Sequence, residues 1–156
     1  MNLAQNIHIV PITATEQITA TDVTPHVNMK LYEKVEFLVH FGALETANFT
    51  LTVTQSAVTA GTSSTAIAAK YRLTTTAGTD TMGAVTTLAS TGLLLSDGTY
   101  DLMTLIVDVA SGDMTESALP YVGLTFTDPG SADAIITIIA LCWPKYPKET
   151  NAGALT

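Results

Sequence analysis

The chain has 156 residues, 14 of them acidic and 6 basic, and its formal net charge of −8 argues against a phosphate-neutralising surface for nucleic acid or an anionic membrane. This length supports one core. A composition 47% hydrophobic but only 13% charged leaves a surface expected to be hidden partly in an assembly.

The N-terminal stretch MNLAQNIHIVPITATEQ lacks a basic segment followed by a long apolar run, so no signal peptide is expected and the protein is expected to be made in the cytoplasm. Within it, Ile7 to Ile12 reads as a short strand. Beyond Ile12 the alternation fades, and residues 1–30 are expected to form an N-terminal arm or a first strand. A core follows over residues 31–143. Its first clear element is KVEFLVHF, where Val35, Phe37, Val39 and Phe41 alternate with Lys34, Glu36, Leu38 and His40, the period of two that gives a strand one apolar face.

NFTLTVTQ repeats the pattern with Phe49, Leu51 and Val53 against Asn48, Thr50, Thr52 and Thr54. Ile67 to Leu73 is a further strand, flanked by the small-residue loops TAGTSST and TTAGTDT. SDGT carries the Asp-Gly pair that tight hairpins prefer, and it precedes Leu102 to Val109, a strand apolar on both faces. YVGLTFTD alternates again with Val122, Leu124 and Phe126 inward. TDPGS then places Pro and Gly as a turn wants, so Ala134 to Trp143 is expected to return along the preceding strand, buried on both sides by the sandwich or by a sister subunit. Its ten apolar-rich residues are half of the roughly 20 that a membrane-spanning helix needs. Short strands separated by turns predict an all-β fold, an antiparallel β-sandwich, with at most a short helix.

Catalytic constellations are not apparent. His8, His26 and His40 are scattered, GTSSTA lacks the Lys-Ser/Thr of a phosphate loop, and Asp97, Asp101, Asp108, Asp113 and Glu116 do not match a calcium loop and read mostly as turn residues. Neither a cofactor nor a metal is expected. Lys34, Glu36 and His40 share one strand face, which reads as a solvated polar row. NFT at Asn48 matches a glycosylation acceptor, without consequence if the chain is not secreted. The lone Cys142, in an apolar run, reads as a buried small hydrophobe.

The segment most suggestive of a partner is CWPKYPKET, opening the tail of residues 144–156. Trp143, Pro144, Lys145, Tyr146, Pro147 and Lys148 combine rigid aromatics with cations on a chain that proline keeps extended, a composition typical of contact surfaces. The same residues could instead pack across their own domain.

The order of elements, KLYEKVEFLVHFGALETANFTLTVTQS, then AIAAKYRL, DTMGAVTTL, YDLMTLIVDVAS and LPYVGLTFTDPGSADAIITIIALCWPKYP, resembles the head-decoration or capsid cement proteins of tailed bacteriophages. The resemblance runs from about Met29 to Pro147. It implies a jelly-roll-like sandwich with extended N- and C-terminal arms, bound to the major capsid protein on the outer face of the phage head. It also implies a homo-oligomer, trimer favoured over dimer, with no catalytic residues. The alternatives are a carbohydrate- or receptor-binding module of a tail or fibre, and another neck or tail structural protein.

Overall fold

In a computed structural model, the residues described are 6–44, 48–96, 98–130, 134–146 and 153–155. The chain is all-β, built from two antiparallel sheets. The strands are β1 (His8–Ile18), β2 (Asp22–Val23), β3 (Val27–Asn28), β4 (Tyr32–Phe41), β5 (Asn48–Ser56), β6 (Thr65–Ile67), β7 (Ala69–Leu73), β8 (Thr86–Leu88), β9 (Leu93–Ser96), β10 (Thr104–Ala110), β11 (Tyr121–Phe126) and β12 (Ala134–Pro144). A 3-10 turn, Ser111–Asp113, follows β10, and the Asp113 carboxylate accepts the Ala110 N–H at 2.8 Å.

The first sheet runs β1-β12-β4-β10-β7-β8, and the second runs β2-β11-β5-β6, with β3 also on β11 and β9 also on β5. In the first sheet β4 is central: Phe37 stands opposite Ala140 of β12 and Val107 of β10, and the register is unbroken along β10 from Lys34 to His40. Its inner residues Val35, Phe37, Val39 and Phe41 are all fully buried. They join Leu105, Val107 and Val109 of β10, and Ile136, Ile138 and Cys142 of β12, in one core with Leu51 and Val53 of β5 and Val122, Leu124 and Phe126 of β11. Phe49 and Phe126 meet at 6.1 Å between ring centroids. Burying each such side chain contributes about 1.5–3 kcal/mol, which is why the two sheets close on one another.

Cys142 is fully buried, as its apolar run suggests, and burial pushes its thiol up to about 12, so it stays protonated. Residues 8–28, expected as an arm or a first strand, carry β1, β2 and β3. The predicted strand over 67–73 breaks at Ala68: β6 pairs with β5 and β7 with β10, so the chain changes sheets there. Leu102 is not in a strand. It lies in a turn, 54% exposed and in the left-handed region at φ 55°, and β10 begins at Thr104.

Both predicted hairpins connect different sheets instead. Gly98 does turn the chain, at φ 69°, but β9 pairs with β5 while β10 pairs with β4 and β7. Gly130 likewise turns at φ 82°, with its N–H on the Asp128 carboxylate, yet β12 pairs with β1 and β4 rather than with β11. Turn residues dictate a local reversal, whereas the partner of the next strand is decided by which sheet buries its apolar face. Within the single chain the sandwich buries one face of β10 and of β12, and the alternate residues of each are half-buried or exposed.

One histidine ties the N-terminal strands to the second sheet. His26 is fully buried; its Nδ1–H donates to the Thr24 carbonyl at 2.8 Å, and its Nε2 accepts from the Thr54 hydroxyl at 3.0 Å. Thr24 in turn accepts the Leu124 N–H through its hydroxyl at 2.9 Å. The ring needs two glycines: a Cβ on Gly123 would lie 2.4 Å from Nδ1, and one on Gly61, itself at φ +67°, would lie 2.5 Å from Cε1.

Burial lowers the His26 pKa below its ordinary 6.5, with the Thr24 hydrogen bond opposing. The unfolded chain therefore takes up this proton first, so the stability tied to neutral His26 is complete above pH 6.5 and lost as pH falls below it. Urea midpoints at about pH 7.5 and about pH 5.5 should show the wild type weakening in acid, and His26→Asn flattening that dependence whatever its starting stability. An unchanged wild-type midpoint would contradict this account.

Candidate binding surface

Because strand side chains alternate, burying one face of β4, β10 and β12 forces the other face outward. On β4 that face carries Lys34, Glu36, Leu38 and His40. On β12 it carries Ile135, Thr137, Ile139, Leu141 and Trp143, and on β10 Thr104, Ile106, Asp108 and Ala110. Register sets these in rows: Leu38 lies between Ile139 and Ile106, Glu36 between Leu141 and Asp108, and Lys34 between Trp143 and Ala110. The outer face of the first sheet is thus an apolar band of Leu38, Ile106, Ile139 and Leu141, extended at the β1 edge by Ile9, which is 46% exposed.

A charged cluster borders the band. Lys34 Nζ lies 2.7 Å from Glu36 Oε1 and 3.0 Å from Asp108 Oδ2, and it sits over the Trp143 ring at 5.2 Å from the centroid. Partial burial works against the ammonium's charge, but the bonds to Glu36 and Asp108 outweigh it and raise the Lys34 pKa above its ordinary value. Lys34 thereby holds two carboxylates that stand directly opposite each other, Asp108 against Glu36, which would otherwise repel. Asp108, within the strand predicted over Leu102 to Val109, is a strand residue of this cluster.

Beside the cluster lies a shallow groove of about 370 Å³ lined by Lys34, Glu36, Lys70, Tyr71, Arg72, Val85, Ile106 and Asp108. Lys70 stands opposite Asp108 and Arg72 opposite Ile106, so both cations point to the outer face. At the β1 side, His8 Nδ1 and the Tyr32 hydroxyl share a 2.6 Å hydrogen bond, and burial, with a smaller effect from Cys142, raises the phenol to about 12 and keeps it protonated.

Of the residues singled out in the tail, Trp143 and Pro144 end β12, both half-buried, and Trp143 joins the outer face through Lys34. Lys145 and Tyr146 follow as exposed residues, Tyr146 at 72%, while the Lys145 N–H is held by the Leu31 carbonyl. Pro147 and Lys148 lie outside the described residues. Farther on the chain returns to its own body: Ala154 is buried and its carbonyl accepts the Asn28 N–H at 3.0 Å, and Leu155 packs on the core.

The row of Lys34, Glu36 and His40 is present as the alternation predicts, but His40 bonds the Thr104 hydroxyl at 3.0 Å, and Lys34 turns to Glu36 and Asp108. Asp108, Lys70 and Arg72 were not legible as members of one site, since only strand pairing brings β10 beside β4 and β7 beside β10. Among the described residues no three His, Cys, Asp or Glu side chains are grouped to hold a metal ion.

No family model, no curated protein and no solved structure matches this chain.

Removing the Lys34 charge tests the cluster. Lys34→Met should cost about 1 kcal/mol in urea unfolding, the upper range for a part-exposed ion pair, and adding Asp108→Asn should recover part of that loss by ending the Asp108–Glu36 repulsion. Additive losses in the double variant would show that Lys34 does not hold the two carboxylates together.

Proposed function

We propose that this chain is a structural virion protein that binds the outer surface of an assembled phage capsid and stabilises it, with no catalysis, as a homo-oligomer in which a trimer is favoured. Its fold is taken as a jelly roll. Strands β2 and β3 share one edge of β11, and β6 and β9 share one edge of β5. The order β1-β12-β4-β10 in one sheet and β2-β11-β5-β9 in the other is then that of a double Greek key, with β7 and β8 an extension beyond β10.

Jelly rolls serve capsid shells and lectins alike, so the surface has to decide between uses. The observation that carries the present reading is the outer face of the first sheet. It presents half-buried Leu38, Ile106, Ile139 and Leu141 in one band, bordered by Lys34, Lys70 and Arg72, on a chain whose net charge is −8. A band of this kind favours contact with another protein surface. Repeated on a lattice, many modest contacts gain from a high effective concentration and clamp neighbouring subunits together. A sugar-binding reading is less favoured, because the single tryptophan already has a cation over its ring, at 5.2 Å.

Mixing the purified protein with undecorated capsids tests the proposal. Co-sedimentation should saturate at a fixed ratio of protein to capsid subunit, and decorated shells should withstand a higher temperature before disruption. Sedimentation of capsids free of the protein at every ratio would overturn it.

A further inference from the structure

The groove beside Lys34 has a charge balance unlike that of the chain as a whole. Three of the chain's six Lys and Arg side chains line it, against two carboxylates, although the chain is −8 overall. Those two carboxylates, Glu36 and Asp108, are both engaged by Lys34, at 2.7 and 3.0 Å. Lys70 and Arg72 are exposed, and among the described residues neither has a carboxylate within 4.0 Å. Arg72 faces the apolar side chain of Ile106 across the strand pair, and Val85, 51% exposed, closes the β8 side of the groove.

We infer that this groove is the docking site for an acidic, extended peptide segment of the partner, with carboxylates at alternate positions taken by Lys70 and Arg72 and an apolar side chain resting on Ile106 and Val85. The inference rests on the capsid-binding reading for the partner's identity, and on the groove alone for the segment's chemistry. Spacing selects an extended segment. Lys70 and Arg72 are two residues apart on β7, which sets their Cα atoms about 6.6 Å apart, the repeat of like-facing side chains along another strand. Side chains two apart on a helix do not face the same way and would not meet both cations.

Charge selects acid. An exposed Lys and Arg next to apolar surface form charge-assisted hydrogen bonds with carboxylates, Arg in a bidentate manner. On a chain of −8 an anionic segment is repelled by most of the remaining surface, which favours basic places such as this groove. A nucleic-acid strand is disfavoured by the same net charge, since it would lay many phosphates across acidic surface. The groove's 370 Å³ falls within the size of ordinary ligand sites and holds a short segment rather than a folded domain.

The probe is the capped peptide acetyl-Asp-Thr-Asp-Thr-Val-Thr-amide, titrated into isotope-labelled protein while amide shifts are followed. The expected result is saturable shifts centred on β7, β10 and residues 84–86, weakened about tenfold by Lys70→Gln or by Arg72→Gln, and lost when Asn replaces both peptide Asp residues. Both cations are exposed, so the variants should keep the wild-type circular dichroism and thermal midpoint. Equal binding of the Asn peptide, shifts centred elsewhere, or no shifts at all would overturn the inference.

Capsid sedimentation of the Lys70→Gln/Arg72→Gln double variant separates this idea from the broader reading. If wild type and double variant bind capsids equally, the groove is not the docking site although capsid binding stands. If neither binds capsids while the peptide binds the wild type as described, the acidic-segment site stands and its partner lies elsewhere.

Discussion

The two-sided demand on β4 places most of the molecule. Its inner residues Val35, Phe37, Val39 and Phe41 need complete burial, and they obtain it only with β12 and β10 paired on its two edges and the second sheet laid over that face. Exchanging inner and outer faces by a one-residue slip would bury Lys34 and Glu36 and expose Val35, Phe37, Val39 and Phe41, so the register is strongly specified. Once the inner face is fixed, the outer face follows without further choice. Lys34, Glu36 and Leu38 must meet Trp143, Leu141 and Ile139 on one side and Ala110, Asp108 and Ile106 on the other.

What was legible in the sequence was the strand alternation. The segments beginning at Lys34, Asn48 and Tyr121 lie in β4, β5 and β11, because each has an uninterrupted period of two. Strands β8 and β9 escaped notice because three or four residues of Thr and Leu are too short to show a period. The sheet changes after Ser96 and Thr127 were not visible either. Asp-Gly and Pro-Gly announce a turn, but the next strand's partner depends on long-range burial.

The same limit applied to the sites. Cys142 could be placed inside from its apolar neighbours, and Trp143 was singled out as a candidate partner contact, while its position under the Lys34 ammonium was not visible. His26 gave no signal, because its partners Thr54 and Gly123 come from β5 and β11 and meet it only after folding. The cluster of Lys34 with Asp108 was hidden for the same reason: the two residues belong to separate strands, and Lys34 could be read only against its own neighbours Glu36 and His40. The tail illustrates a different point. Its aromatic start lies on the sheet, whereas Ala154 and Leu155 return to the core, so the segment both belongs to the domain and presents Tyr146 outward.

The proposed capsid-contact surface is the outer face of the first sheet, and side-chain oxidation footprinting of the protein free and mixed with capsids tests that proposal most directly. The account predicts that peptides bearing Leu38, Ile106 and Trp143 lose reactivity on binding, while Leu94 of β9, 61% exposed on the second sheet, reacts as before. Protection of Leu94 with unchanged reactivity at Trp143 would contradict it.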